Sequence, residues 1–424
     1  MKENLLNQNP YSASEIEVLE GLEPVRHRPG MYIGGTDKNA LHHLAVEIID
    51  NCIDEVVAKH ATTIKVELLE DNFIKISDNG RGIPIDNHPK FKNKSALEVI
   101  MTTLHSGGKF SNKNYTTSGG LHGVGASVVN ALSEHMKVEV IRSGFLYRQE
   151  FSKGLPTTTL SKIEPSKKSN GTIITFKPDN TIFVDTHIFS PEKIYKILEY
   201  KAYLVAGVQI DWKCHSSLLT DSSIIPTSKK LCFLDGLSEY MHSKTSNTPM
   251  YTTSSFKDNV KIEEETVEWA IRWFVENENS FVETFCNTVP TPLGGTHELG
   301  FRQALTKGIK NFAIIKGFKK ANELVYDDLM LATGSILSVF IKDPQFQGQT
   351  KERLVNSSTT KLVETAIKDR FETWLSNDTE KGEAILNRTI SYYEERKRKK
   401  KEKDVLRKTI TKKVRLPGKL ADCS

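Results

Sequence analysis

Cysteine is scarce and scattered in this chain: five in 424 residues, at positions 52, 214, 232, 286 and 423, with no C-x-x-C pair. That excludes a disulfide-framed scaffold and the usual zinc spacings, and it fits reduced thiols in the cytoplasm. No apolar run approaches the roughly 18 residues that a membrane span needs, so no membrane partner is expected. The opening stretch MKENLLNQNPYSASEIEVLEGL lacks the apolar core of a signal peptide. No internal repeat is evident. With 38% hydrophobic residues and 8% aromatics, the length suits two or three globular domains.

Excess charge is also missing from most of the chain. The formal net charge is +5, yet residues 396–415 (RKRKKKEKDVLRKTITKKVR) carry twelve Lys/Arg against Glu402 and Asp404, a net of +10, which leaves −5 elsewhere. Such a segment is either a solvated charged helix or a contact for the phosphates of double-stranded DNA.

Patterning places the elements. Apolar residues at 41, 44, 45, 48, 49, 52, 53, 56 and 57 predict an amphipathic helix over 41–57. TIKVELL and FIKISD alternate as strands around a Glu-Asp-Asn turn, SALEVIMTTLH reads as a helix, and KVEVI, FLYRQEF and GTIITF as further strands. Together they predict an α+β layered fold on a largely antiparallel sheet. SGGKFSNKNYTTSGG, with almost nothing to bury, reads as a lid. A boundary is expected near 220–230. Beyond it TVEWAIRWF, SFVETFCN and GSILSVFIK read as strands, with helices over 296–313 and across 358–404.

The chemistry-bearing residues follow from this placement. Glu47, Asn51 and Asp54 share the helix face opposite the apolar one, and His43 stands one turn before Glu47. A carboxylate beside an amide oxygen suits a general base next to Mg²⁺, which takes few protein ligands plus substrate phosphates. Asp78 ends a strand immediately before NGRGIP, where it can accept the amino group of a base such as adenine or simply start the loop as an Asx turn. SGGLHGVGASVVNALS puts Gly119, Gly120, Gly123 and Gly125 at the mouth of a helix, where free N–H groups favour an anion. Its spacing is neither that of a dinucleotide fold nor that of a P-loop.

The ordered set of an E-x-x-x-N helix, a D-x-G-x-G strand end, a polar lid and a G-x-x-G-x-G helix mouth resembles the Bergerat-fold (GHKL) ATPases. Those are the gyrase-type topoisomerases, Hsp90, the MutL proteins and sensor histidine kinases. GLEPVRHRPGMYIGGT, SGGKFSNKNY, GGTHELGFRQAL, DPQFQGQTKERL and LPGKLADCS narrow the resemblance to the B subunits of bacterial type IIA topoisomerases over essentially the whole chain, closer to the topoisomerase IV branch than to the gyrase branch.

The resemblance implies a GHKL α/β sandwich with an N-terminal dimerisation arm over 1–225. It implies a ribosomal-protein-S5-like α/β transducer domain over 226–404 and a basic linker over 405–424 that would lead to a Toprim domain. Glu47 would be the general base, oriented by His43, with Asn51 on Mg²⁺. Asp78 would take the adenine amino group, supported by Thr172 through water, with Arg81, Gly82, Ile83 and Pro84 flanking the base. Lys109 and Tyr115 would sit on the lid. Gly120, Leu121, His122, Gly123, Val124 and Gly125 would wrap the ATP phosphates, with Gln349 and Lys351 reaching the γ-phosphate and Tyr11 entering the site of the other protomer. Asn79 stands where many members carry a second acid. The implied activity is ATP-driven homodimerisation that closes a DNA gate for relaxation, decatenation and chromosome segregation, in an A2B2 complex with the topoisomerase IV A subunits. Within the family the runner-up is the ATPase fragment of a gyrase B subunit; two rivals lie outside it, a sensor kinase and a DNA clamp that keeps nucleotide as a structural ligand.

Overall fold

The structure, a computed structural model, describes residue 16 and residues 18–108, 117–120, 123–185, 188–220 and 223–413, the side chains of 407–413 excepted. It divides into two compact units, Met1–Cys232 and Phe233–Ser424. Among the described residues no helix is long and apolar enough to cross a membrane.

The strands of the first unit are β1 (Thr63–Leu68), β2 (Ile74–Asp78), β3 (Ser133–Arg142), β4 (Phe145–Ser152), β5 (Leu155–Pro156), β6 (Ser161–Pro165), β7 (Gly171–Pro178), β8 (Gln209–Cys214) and β9 (Ser228–Leu231). Their order is β5-β4-β3-β7-β2-β1-β8-β9, with β6 also on β4. Among the described residues of this sheet β1 and β8 are the one parallel pair, so the sheet is largely antiparallel, as the alternating patterns predict. Register aligns Trp212, Val66, Ile76, Ile174 and Val138 in one row across five strands. All five are buried, whereas Lys65, Lys75 and Lys137 fall on the other face. The period-two alternation therefore turns one sheet face into a core wall.

Helices cover that wall. The Lys38–Val57 helix starts three residues before the first apolar position, because Asp37 caps it by accepting the N–H groups of Asn39 and Ala40 at 2.9 Å each. Ala96–Thr102 is capped by Ser95, Gly125–Ala131 follows the glycine-rich stretch, and Pro191–Leu204 is capped by Ser190. His42, beside the site candidate His43, belongs to this packing. Its Nδ1 lies 2.6 Å from the Lys38 carbonyl and its Nε2 accepts the Ser190 N–H at 2.8 Å. Burial holds its pKa down to about 4, so the ring is neutral, and the two bonds fix the proton on Nδ1.

The second unit has β10 (Phe256–Ile262), β11 (Glu265–Trp273), β12 (Phe281–Cys286), β13 (Val289–Pro290) and β14 (Thr333–Phe340) in the order β10-β11-β14-β12-β13. Val267, Trp269, Ile271 and Trp273 on β11 face a core shared with the helices Thr296–Ile315 and Ser357–Asn377. The alternate residue Arg272 reaches Thr245 at the end of the Leu237–Thr245 helix on the other face. The two long helices touch backbone to backbone: a Cβ at Gly300 would stand 2.3 Å from the Thr360 carbonyl oxygen.

The GGTH word pins the loop that follows β14. Gly295 lies where a Cβ would be 2.3 Å from the Leu354 carbonyl oxygen. The Leu354 N–H donates to Gly294 at 3.1 Å and the Thr296 N–H to Leu354 at 3.1 Å. The final helix, Thr379–Lys413, runs past the expected linker start, so residues 405–413 are helical. Lys, Arg and Glu are good helix formers, and the i,i+4 pair Glu395–Lys399 adds to that at 2.7 Å. The same helix is anchored through Tyr393, whose hydroxyl donates to Glu323 at 2.7 Å, and through Arg396, bidentate on Asp328 at 2.7 and 2.8 Å.

Candidate active site

The Lys38–Val57 helix sets the site. Glu47 points away from the apolar face with its carboxylate only 12% exposed, and Oε1 lies 3.3 Å from Nε2 of His43. Its other oxygen fills a space that a side chain would otherwise take, since a Cβ at Gly125 would stand 2.2 Å from Glu47 Oε2. Gly125 is thus the residue that lets a carboxylate lie against the start of the following helix. Asn51, one turn after Glu47, is half-buried on the same face.

Asp54 continues the row. Its carboxylate, almost fully buried, accepts the Gly119 N–H at 2.8 Å and the Gly120 N–H at 3.3 Å. The glycine-rich stretch is therefore tied to the helix that carries Glu47. At its far end the Gly123 carbonyl accepts the Ser106 N–H at 3.1 Å, and Val124 is buried.

Asp78 lies at the end of β2, paired with Ile64 of β1. The Gly80 N–H donates to one carboxylate oxygen at 2.8 Å and the Cys52 thiol to the other at 3.5 Å. Burial pushes the Asp78 carboxyl up to about 6, against the pull of the Gly80 N–H, the Cys52 thiol and the Thr172 N–H; the nearby charge of Glu55 adds to the rise. Gly171 makes the strand end possible, since a Cβ there would meet the Asp78 carbonyl oxygen at 2.2 Å. Thr172 is close, as expected, and its hydroxyl accepts the Ile83 N–H at 3.2 Å.

Arg81 is held by Glu55 of the long helix. Its guanidinium bonds both carboxylate oxygens at 2.7 and 3.2 Å, and its N–H adds a third bond at 3.1 Å. The Gly82 carbonyl accepts from Arg142 at 2.8 Å, while Pro84 is exposed. Asn79 joins strand ends, accepting the N–H groups of Thr62 and Thr63 at 2.8 and 2.9 Å. Its amide also donates to the Thr62 hydroxyl at 2.9 Å, a bond that an ionised acid could not make.

The first unit thus brings His43, Glu47, Asn51, Asp78, Arg81, Gly82, Ile83, Thr172, Gly120, Gly123, Val124 and Gly125 onto the helix, the strand end and the loops bonded to them. Gln349 and Lys351 belong to the second unit, where Lys351 is 3% exposed, with φ at +59°, and Gln349 is half-buried. Tyr11, Lys109, Tyr115, Leu121 and His122 lie outside the described residues. Sequence reasoning missed the supporting groups Glu55, Cys52, Arg142 and Gly171. Glu55, one residue beyond Asp54 on the helix, carried a signal; the others carried none.

The family described as histidine kinase-, DNA gyrase B- and HSP90-like ATPase matches residues 36–182, and the family described as DNA gyrase B matches residues 236–405. The topoisomerase IV ATP-binding domain of Francisella tularensis, solved with a small-molecule inhibitor, superposes with a TM-score of 0.72 at 33% identity, covering 89% of this chain and 98% of that one. The 43K ATPase domain of Thermus thermophilus gyrase B, solved with an aminocoumarin, gives 0.71 at 33%, covering 91% and 98%. The chain belongs to the type IIA DNA topoisomerase B-subunit family. The B subunit of DNA topoisomerase 4 from Rickettsia prowazekii is 50% identical over 425 residues, all of this chain and 64% of that protein. The chain thus spans somewhat less than two thirds of that relative.

The raised Asp78 carboxyl gives a stability signature that needs no ligand. A carboxyl whose folded value, about 6, exceeds its ordinary 3.8 destabilises the fold fully above pH 6, progressively less down to pH 3.8, and not at all below. Asp78→Asn keeps the acceptor for Gly80 and removes that cost. The nucleotide-free variant is expected to be about 1–3 kcal/mol more stable than wild type at pH 8. The gain should vanish near pH 4, read by chemical denaturation at the two pH values; equal stability at both would contradict the assignment.

Proposed function

We propose that the chain is the ATP-binding and ATP-hydrolysing segment of a topoisomerase IV B subunit, in which ATP-driven dimerisation closes a gate on double-stranded DNA. The observation that carries the reading is the seat of Glu47: a shielded carboxylate beside His43, pressed against the start of the helix that the glycine-rich stretch leads into. A structural nucleotide site needs no base there, which disfavours the clamp. The whole-chain identity to a topoisomerase 4 B subunit favours that branch over gyrase. The match to the gyrase B family over 236–405 disfavours a sensor kinase.

In this reading the ATPase domain, expected over 1–225, and the transducer, expected over 226–404, divide instead after Cys232, because β9 (Ser228–Leu231) pairs with β8 in the first sheet. Adenine donates its amino hydrogens to Asp78, with Thr172 beside it and the Arg81–Pro84 loop along the ring. The backbone of residues 120–125 wraps the phosphates, with Lys109 and Tyr115 on the lid and Tyr11 reaching the site of the other protomer. Among the described residues no three His, Cys, Asp or Glu side chains converge on a metal. Asn51 would supply an amide oxygen to Mg²⁺, which would neutralise phosphate charge. Glu47 takes the proton of the attacking water and His43 orients the carboxylate. A full-length, cytoplasmic A2B2 enzyme with the topoisomerase IV A subunits would couple this cycle to decatenation and chromosome segregation.

Glu47→Ala is expected to lower ATP turnover by about 10²–10⁴-fold while leaving ATP affinity within a few-fold, because a base acts on the water and not on the bound triphosphate. Turnover within a few-fold of wild type, measured by phosphate release, would remove Glu47 as the base.

Lys351 is read as the sensor of the γ-phosphate. It is buried on a loop pinned by the Gly294–Leu354 bonds, and its positive φ marks a backbone held in an uncommon state. A charge-assisted bond to the terminal phosphate is worth about 1.5–3 kcal/mol, a bias of roughly 10–100-fold. In sedimentation, wild type should dimerise with a non-hydrolysable ATP analogue and not with ADP, and Lys351→Ala should stay monomeric with both. A variant that dimerises like wild type would refute the role.

DNA contact is supported by an open basin of about 580 Å³ in the second unit, lined by Lys319, Lys320, Lys397, Arg398 and Lys401 with Phe318 and Tyr393. Lys397 is paired with Glu323 and Arg398 with Glu402 at 3.8 Å, and Glu394 also lines the basin, so Lys319, Lys320 and Lys401 are the cations offered first to phosphates. Because Tyr393 and Arg396 anchor the last helix, substitution tests this better than truncation. Replacing Lys319, Lys320, Arg398 and Lys401 together by Gln should flatten the plot of log K for duplex DNA against log salt by about 0.9 per lost phosphate contact. An unchanged slope would return the segment to a solvated helix.

A further inference from the structure

The long helix carries a second carboxylate row behind the site. Lys201, on the Pro191–Leu204 helix, is fully buried, and its Nζ lies 2.6 Å from Asp50 Oδ1. Asp50 is itself 4% exposed and stands one turn before Asp54, at 3%. Lys201 also lies within the electrostatic reach of Asp54; burial pulls its amine down, but the Asp50 and Asp54 carboxylates outweigh that and hold it above its ordinary value. Asp54 in turn accepts the N–H groups of Gly119 and Gly120. One ammonium group therefore faces two desolvated carboxylates, and one of those carboxylates holds the start of the glycine-rich stretch.

We propose that Lys201 is a positioning residue for the nucleotide-binding loop, acting through Asp54: by balancing Asp50, it lets the Asp54 carboxylate stay on the backbone of Gly119 and Gly120. Two like charges one helical turn apart in a dry setting repel strongly. Without the ammonium group Asp50 displaces Asp54, and the loop loses a charge-assisted tether at both amides. The affinity consequence rests on the ATP reading above; the tether itself does not.

The test uses the whole chain without nucleotide. In wild type the Gly119 and Gly120 amides, both bonded to Asp54, are expected to exchange slowly with solvent. In Lys201→Met they should exchange about tenfold faster or more, with ATP-analogue affinity falling by a comparable factor while kcat at saturation changes little. Adding Asp50→Asn to Lys201→Met removes the opposing charge without refilling the space, and should restore both protection and affinity. Wild-type protection in the single variant would overturn the proposal. So would a double variant as unprotected as the single, since a packing defect and not charge would then be the cause. If Lys201→Met does not fold, the double variant decides: it must fold and protect both amides, and failure of either overturns the assignment. Should wild type bind no ATP, the functional reading falls, while the amide exchange still decides this one.

Discussion

A single helix must present four carboxylates and an amide toward polar partners while its opposite face fills the core, and most of the first unit is arranged around that demand. Glu47 meets His43 and the bare Cα of Gly125; Asp50 meets Lys201; Asp54 meets two glycine amides; Glu55 meets Arg81. Every partner comes from a different stretch of chain, except His43. The helix is thus the common reference to which the strand end, the glycine-rich loop and the Pro191–Leu204 helix are registered.

Burying so much negative charge is costly unless each group is paired or accepts hydrogen bonds. Asp78 is the member that stays poorly compensated: a thiol and two N–H groups do not offset its burial, and its carboxyl rises to about 6. Incomplete compensation is what a recognition group requires. A carboxylate already satisfied by an arginine, as Glu55 is by Arg81, has little to gain from a nucleobase amino group, whereas Asp78 keeps acceptor capacity for one.

Much of this was legible because periodicity reports burial. The alternating strands, the helix over 41–57 and the row Glu47, Asn51, Asp54 follow from residue spacing alone, and the order of four short motifs pointed to the ATPase group. What stayed hidden is what depends on contacts between distant stretches. His42 and His43 are neighbours in sequence, yet one is a neutral core residue bonded to Ser190 and the other faces Glu47. Nothing local separates them. Lys201 reads as one lysine among many until the fold buries it against Asp50. Likewise the resemblance implies a linker from residue 405, but the anchoring of Tyr393 and Arg396 seats a helix that continues to Lys413.

The glycines of the G-x-x-G-x-G word show how one motif can encode several constraints. Gly120 offers its N–H to Asp54 at 3.3 Å and so ties the loop to the long helix. Gly123 takes φ of +60°, a conformation that favours glycine, and its carbonyl receives Ser106. Gly125 needs no unusual conformation; it needs the absence of a side chain, because Glu47 occupies the place of its Cβ. The first two shape the loop, and the third places the acid beside it. A glycine-to-alanine change at 125 therefore strikes Glu47 directly, so the spacing of the motif binds the position of that carboxylate to the backbone of the glycine-rich stretch.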